Sequence, residues 1–392
     1  MSAYHLDDER AIRTGRLVED WTKSGLLTPS QREIVMPQLA VDLRRTNLFL
    51  RITLFLFGAL ILQSALGLIA VFFGGFADAT GMGVLCLVAG AGCFWLASVL
   101  VSRYSLYRFG VEEAVALSAA GLVAAGAALL VANEGNWPVV IGLAIAAAML
   151  ATVYFRFGYV YAALLAMAAT AALPFQFPST AFGAGDSESI QRGIAIGVLA
   201  AIAIWARRAR APHGDEYPGD ALTVIEAAAW LGIYLLVNLV ASAGITRLDR
   251  TSAFHWITYA GIWLLPAAGL TLALRGRERP LLLVSLAMAL ATLLSNKEYL
   301  GAPRYEWDPI VFGLFLMAVA IGVRRWLAAG ESDMRHGYTA SRVVQSDRSR
   351  LGHLAIVSAA QAEVPVAHAA PAPDPPIGGG GRSGGAGAGG SF

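Results

Sequence analysis

Residues 52–73 read ITLFLFGALILQSALGLIAVFF, 22 positions without a charge. A hydrocarbon core about 30 Å thick takes roughly 20 helical residues to cross, and it holds no water to hydrogen-bond an open backbone. This stretch is therefore read as a membrane-spanning helix, and the same ruler laid along the chain decides the fold.

Nine further stretches pass the test: 82–102, 114–132, 137–155, 157–175, 190–206, 221–244, 253–274, 281–295 and 309–323. The expected fold is all-α, a polytopic transmembrane bundle of about ten helices over 52–323, with a helical hairpin at 1–51 and a tail at 324–392. The fourth and fifth spans are separated by little more than Arg156 and Gly158, and the ninth is short enough to be re-entrant. Composition agrees: 57% of residues are hydrophobic and 14% charged, with mean hydropathy +0.60, against about a quarter charged in soluble domains. The partner implied is a lipid bilayer, and a net charge of +2 gives no reason to propose nucleic acid. Cys86 and Cys93 lie roughly 10 Å apart along a helix, too far for a disulfide.

Lys and Arg are retained on the cytosolic side during insertion. With the N-terminus inside, the inner loops carry Arg103, Arg108, Arg156, Arg207, Arg208, Arg210, Arg275, Arg277 and Arg279, and the outer loops Arg192, Arg247, Arg250, Lys297 and Arg304. Together with the two ends, 24 of the 29 basic residues fall inside, which places both termini in the cytosol. Trp137, Trp256 and Trp307 stand at the outer starts of spans, where an indole is favoured. Asp308 and Pro309 read as N-cap and first residue of the last span. The first 51 residues are charged, so no cleavable leader is expected and the first span serves as the insertion signal.

In the N-terminal hairpin a first helix is expected from Asp7 to Lys23, with Ile12, Leu17 and Trp21 on or near one face and Gly25 just past its end. Thr28, Pro29 and Gln31 supply a cap, a first-turn proline and a capping-box partner for the second helix, which Pro37 interrupts. About forty residues build only a small core, so the hairpin is expected to rest on the membrane domain or on a protein partner. The order Leu17, Trp21, Gly25, Leu26, Leu27 and Gln31, followed by a basic connection and a many-spanning domain, resembles the bacterial predicted membrane proteins grouped as domain of unknown function 2157. The resemblance implies a bacterial cytoplasmic (inner) membrane protein, and it implies no activity or site residue. At the other end, the Ala/Pro-rich stretch and the glycine-rich run at 378–390 favour disorder.

Spans three to five match spans seven to nine: Glu113–Ala114 with Glu226–Ala227, Trp137 and Gly142 with Trp256 and Gly261, and 165–168 with 286–289 (both LAMA). A duplication of this kind would be a parallel repeat, as in some transporters; recurring Ala, Leu and interfacial Trp also produce such matches.

Polar side chains within spans are the functional suspects. They are Gln63, Glu226 and Asn238, with His255 near an outer end. Glu226, six residues into its span, is read either as a cation or proton site or as a carboxylate in the first turns of a helix that pairs with Arg207 or Arg208, and Glu113 as a first-turn carboxylate. Asn238 and Gln63 are read as helix-to-helix contacts, and His255 beside Trp256 as interfacial. Gly90, Gly121 and Gly126 permit close helix approach. No metal-ligand spacing, phosphate loop, serine elbow or paired membrane aspartates occur, so neither enzyme activity nor a cofactor is expected. The functional expectation is a sensing, regulatory or assembly role, with a secondary transporter or channel for a small or lipophilic solute as the alternative.

Overall fold

The computed structural model describes residues 4, 6–23, 25–44, 46–72, 78–177, 187–210, 217–240, 253–276, 278–301, 305, 307–330, 334–335 and 338–339. The glycine-rich end, Arg247, Arg250, Arg277 and Arg304 lie outside these residues.

Helix α1 (Leu6–Lys23) ends before Gly25, whose φ of 74° is left-handed. Helix α2 (Pro29–Val35) starts on the Thr28–Gln31 capping box, and Pro37 falls in a 3-10 turn that follows it. The inward face of α1 carries Ile12 and Val18, whereas Leu17, expected there, is 41% exposed.

Among the described residues ten apolar helices follow: α3 (Leu48–Phe72), α4 (Ala79–Tyr104), α5 (Val111–Leu130), α6 (Trp137–Phe157), α7 (Val160–Ala172), α8 (Ser187–Arg210), α9 (Tyr217–Val237), α10 (Ala253–Gly276), α11 (Arg279–Leu300) and α12 (Asp308–Ala328). Eight are long and apolar enough to cross a membrane; α7, extended by a 3-10 turn to Gln176, and the apolar part of α9, Ala221–Val237, are shorter. A short antiparallel pair, β1 (Met334–Arg335) and β2 (Tyr338–Thr339), comes after α12.

Several boundaries differ from expectation. The ninth stretch, read as short, forms the full-length α11. The seventh, read through Gly244, stops as a helix at Val237. The break between α6 and α7 is real: Gly158 adopts φ 71° and closes α6. Asp308 is the first residue of α12 rather than its cap, and its carboxylate takes Lys297 Nζ at 2.6 Å.

The tightest packing joins α4 to α5, where a Cβ on Gly126 would lie 2.8 Å from the Gly83 carbonyl oxygen and one on Gly90 would meet Val123 and the Ala119 carbonyl. Gly121, expected to share this role, faces open space. By contrast, α12 buries little beyond Leu327.

The N-terminal segment is stitched onto the bundle end formed by the α4–α5 and α6–α7 connections. Arg44 pairs its backbone with the chain on both sides of Leu106, donating to Ser105 O and accepting from Tyr107 N at 2.9 and 3.1 Å. The Tyr4 hydroxyl donates to Leu106 O at 3.2 Å and lies 3.4 Å from Tyr159 Oη, and its ring meets Tyr107 edge-on. Burial pushes the Tyr4 hydroxyl well above the ordinary tyrosine range. Ile12 joins the same core, and α1 also reaches α9.

Candidate functional site

Helix α9 and the residue that follows it supply two of the three polar residues marked in the sequence and set them apart. Glu226 and Asn238 are each 1% exposed, yet twelve helical residues put them roughly 18 Å apart along the axis.

Glu226 is the tenth of the 21 residues of α9, midway along the helix rather than in its first turns as the sequence suggested, because the helix begins at Tyr217 and not at the first apolar residue; it faces the end of α8. Arg207 donates to its Oε1 at 3.1 Å. Arg210 stands 3.1 Å from its Oε2 without hydrogen-bond alignment, forms an ion pair with Glu278 at 2.6 Å, and donates to Thr223 Oγ1 at 3.1 Å. Two guanidinium groups thus face two carboxylates, and Arg207, its side chain 39% exposed, opens the cluster to the bundle surface. The partner foreseen as Arg207 or Arg208 is Arg207 together with Arg210.

At the C-terminal end of α9 lies a denser polar network. A helix terminus leaves its last carbonyls without intrahelical partners, and here side chains collect them. Arg192 donates to Leu236 O at 2.9 Å, and Tyr299 Oη donates to Val237 O at 3.0 Å while accepting from Leu239 N at 2.7 Å. Asn238 donates to Tyr234 Oη and Ser295 Oγ, both at 3.0 Å, and Tyr234 shares a 2.9 Å bond with Thr292. Thr292 in turn donates to Ile262 O at 2.6 Å. Arg192, counted above as an outer-loop charge, is 2% exposed within α8 and holds Glu188 one turn earlier at 2.9 Å. A cation at a helix C-terminus opposes the negative end of its dipole. His255, expected at the interface, is also buried, 5.2 Å from the Tyr299 ring.

Sequence reasoning found Asn238 but missed Arg192, Tyr234, Thr292 and Tyr299. For Arg192 a signal existed, because Glu188 lies four residues earlier and marks a helical pair rather than a loop.

Between the two clusters lies an apolar layer of Met167, Leu199, Ala229, Ile233, Ile262 and Met288, all buried. Gln63 joins neither cluster; it is exposed on α3. Among the described residues no group of three His, Cys, Asp or Glu is placed to hold a metal ion. An apolar cleft of about 330 Å³ opens between α6 and α8 over α7 and α9, walled by Ala151, Phe155, Met167 and Trp205.

The first half of the bundle has its own buried carboxylate. Glu113 at the start of α5 takes Arg51 of α3 through both guanidinium branches, the Nε contact at 2.9 Å. Glu112 caps the same helix by accepting from Phe109 N at 2.7 Å.

The helices and their length identify a multi-pass integral membrane protein, and comparison with protein-family models, curated proteins and solved structures gives no match.

Proposed function

We propose that this chain is a non-enzymatic membrane protein in which a closed helical bundle presents the N-terminal segment, and the tail, for a sensing, regulatory or assembly role. On this reading all ten apolar helices cross the bilayer and both termini face the cytosol. The resemblance noted in the sequence adds a bacterial cytoplasmic membrane as the location. The observation that carries the proposal is the docking of Tyr4 and Arg44 onto the connections at one end of the bundle. Docking fixes α1 and α2 on the bundle while leaving Leu17 and Ile34 41% and 67% exposed, so apolar side chains stand ready for a protein partner. Site-specific photocrosslinking from Thr14 in native membranes tests this. Leu17→Asp with Ile34→Asp removes the crosslinked partner if the reading holds, and an unchanged set of adducts sinks it.

The cleft favours a second reading, passage of a lipophilic solute. Flux into vesicles that is blocked by Ala151→Trp would support it, and no flux across a broad panel of solutes would remove it. The apolar layer between the two polar clusters of α9 weighs for the first reading.

A further inference from the structure

Gln63 is the twelfth residue of the uncharged run opened by Ile52, near mid-span. The face of α3 turned to the bundle is marked by Leu62, which packs on the core, and by Gly58, whose added Cβ would meet Ala114 at 3.4 Å. Gln63 lies on the opposite face with Leu60 and Gly67; both side chains are exposed, and a Cβ on Gly67 would meet nothing within 4 Å. Exposed hydroxyls on other spans are satisfied by their own helix: Ser102, Thr152 and Thr271 each donate to the carbonyl four residues earlier. Gln63 has no hydrogen-bond partner among the described residues. A carboxamide in hydrocarbon loses its hydrogen bonds to water and gains none from lipid tails, a cost of several kcal/mol per group.

We propose that a second copy of this chain covers this face of α3, with Gln63 of one protomer hydrogen-bonded to Gln63 of its partner across a two-fold axis. The argument for a second copy is complementarity. A carboxamide both donates and accepts, so two identical ones related by a two-fold satisfy each other. Helix α12, the other loosely packed span, offers only apolar side chains over 310–323. Ser64 and Gly67 keep the contact surface small, which lets two α3 helices approach closely enough for the amides to meet.

The test uses the full chain in lipid vesicles, with Cys86→Ala and Cys93→Ala as background. Leu60→Cys and Gly67→Cys are expected to form disulfide-linked dimers on mild oxidation, whereas Ile61→Cys, exposed about 100° around the helix, is expected to form few. In a fluorescence-transfer titration against lipid dilution, Gln63→Leu should weaken self-association about tenfold and Gln63→Asn should largely preserve it. Gln63→Leu suits the lipid-facing position, so loss of folding will not mimic the result. A monomer at every dilution, or an unchanged dimer with Gln63→Leu, overturns the proposal, and an unlike partner at this face would give that outcome.

Discussion

Helices α5 and α9 each carry a buried carboxylate, Glu113 in the first turn of α5 and Glu226 midway along α9, and the two obtain their cations from different directions. The environments match well beyond that residue: 112–114, 116 and 120 are buried, as are 225–227, 229 and 233. Gly142 turns α6 towards Ala128 of α5, and Gly261 turns α10 towards Val237 of α9. Yet Glu113 draws Arg51 from α3, 62 residues earlier, while Glu226 draws Arg207 and Arg210 from the immediately preceding helix and shares Arg210 with Glu278. The carboxylate recurs and its counter-ion does not. A duplication would leave this trace if each copy solved the same problem, a charge buried on the inward face of a helix, with whatever cation its neighbours supplied.

The largest test of the contrast is to remove the cations. Arg51→Ala leaves Glu113 buried without the cation that grips both its oxygens, and breaking a buried pair from one side costs about 3–5 kcal/mol. Arg207→Ala leaves Glu226 beside Arg210 and removes a partly exposed partner, so about 1 kcal/mol is expected. Unfolding titrations in mixed micelles should show the first variant strongly destabilised and the second barely. Equal losses would mean that the two carboxylates are held alike.

A smaller effect separates how α5 and α9 meet the helices before them. An added methyl at Gly126 runs into the backbone of α4 at Gly83, which cannot step aside, whereas one at Gly232 of α9 meets the Leu199 Cδ1 tip at 2.9 Å, the end of a flexible side chain. Gly126→Ala should therefore cost about 1–3 kcal/mol. Gly232→Ala should be near neutral, because helix propensity returns up to about 1 kcal/mol. The same titrations decide, and a Gly232→Ala loss as large as that of Gly126→Ala would erase the distinction between the two contacts.

What was legible in the sequence follows from the same physics. Apolar length alone located the helices, because hydrocarbon demands that length, and the capping box at Thr28 was local enough to read directly. The end of α9 was not legible: the apolar run continues past Val237, and the helix stops where Tyr299 and Arg192, from distant parts of the chain, take over its carbonyls. Arg192 was misplaced because hydropathy treats a charge as a loop marker and does not see its partners. Leu17 was assigned to a contact that Val18 makes, and Gly121 was grouped with Gly90 and Gly126 although only those two meet a neighbouring helix, since a helix's rotation is set by what it packs against. Gln63 and Glu226 stood out as polar residues, but only the structure separates one facing outward without a partner from one held between two arginines.

The smallest expected effect lies where the first half differs most from the second, in its docked α1. Glu9 is buried beside the α4–α5 connection; loss of solvent raises its affinity for a proton, and Arg108 nearby offsets part of that rise. A carboxyl whose folded pKa lies above its unfolded value stabilises the docked state fully below the unfolded value, 4.5 for this group, and that contribution fades as pH rises through the folded value. Docking of α1 should therefore tighten as pH falls from 7 towards 4.5. A nitroxide at Thr14 in vesicles reports this as a growing immobilised fraction. Glu9→Gln, which carries no charge to bury, should be immobilised already at pH 7 and show a flat profile. If the variant keeps the wild-type slope, another group governs docking and Glu9 is held by Arg108 as an ordinary ion pair, which would bring it closer to Glu113 and Glu226 than its burial implies.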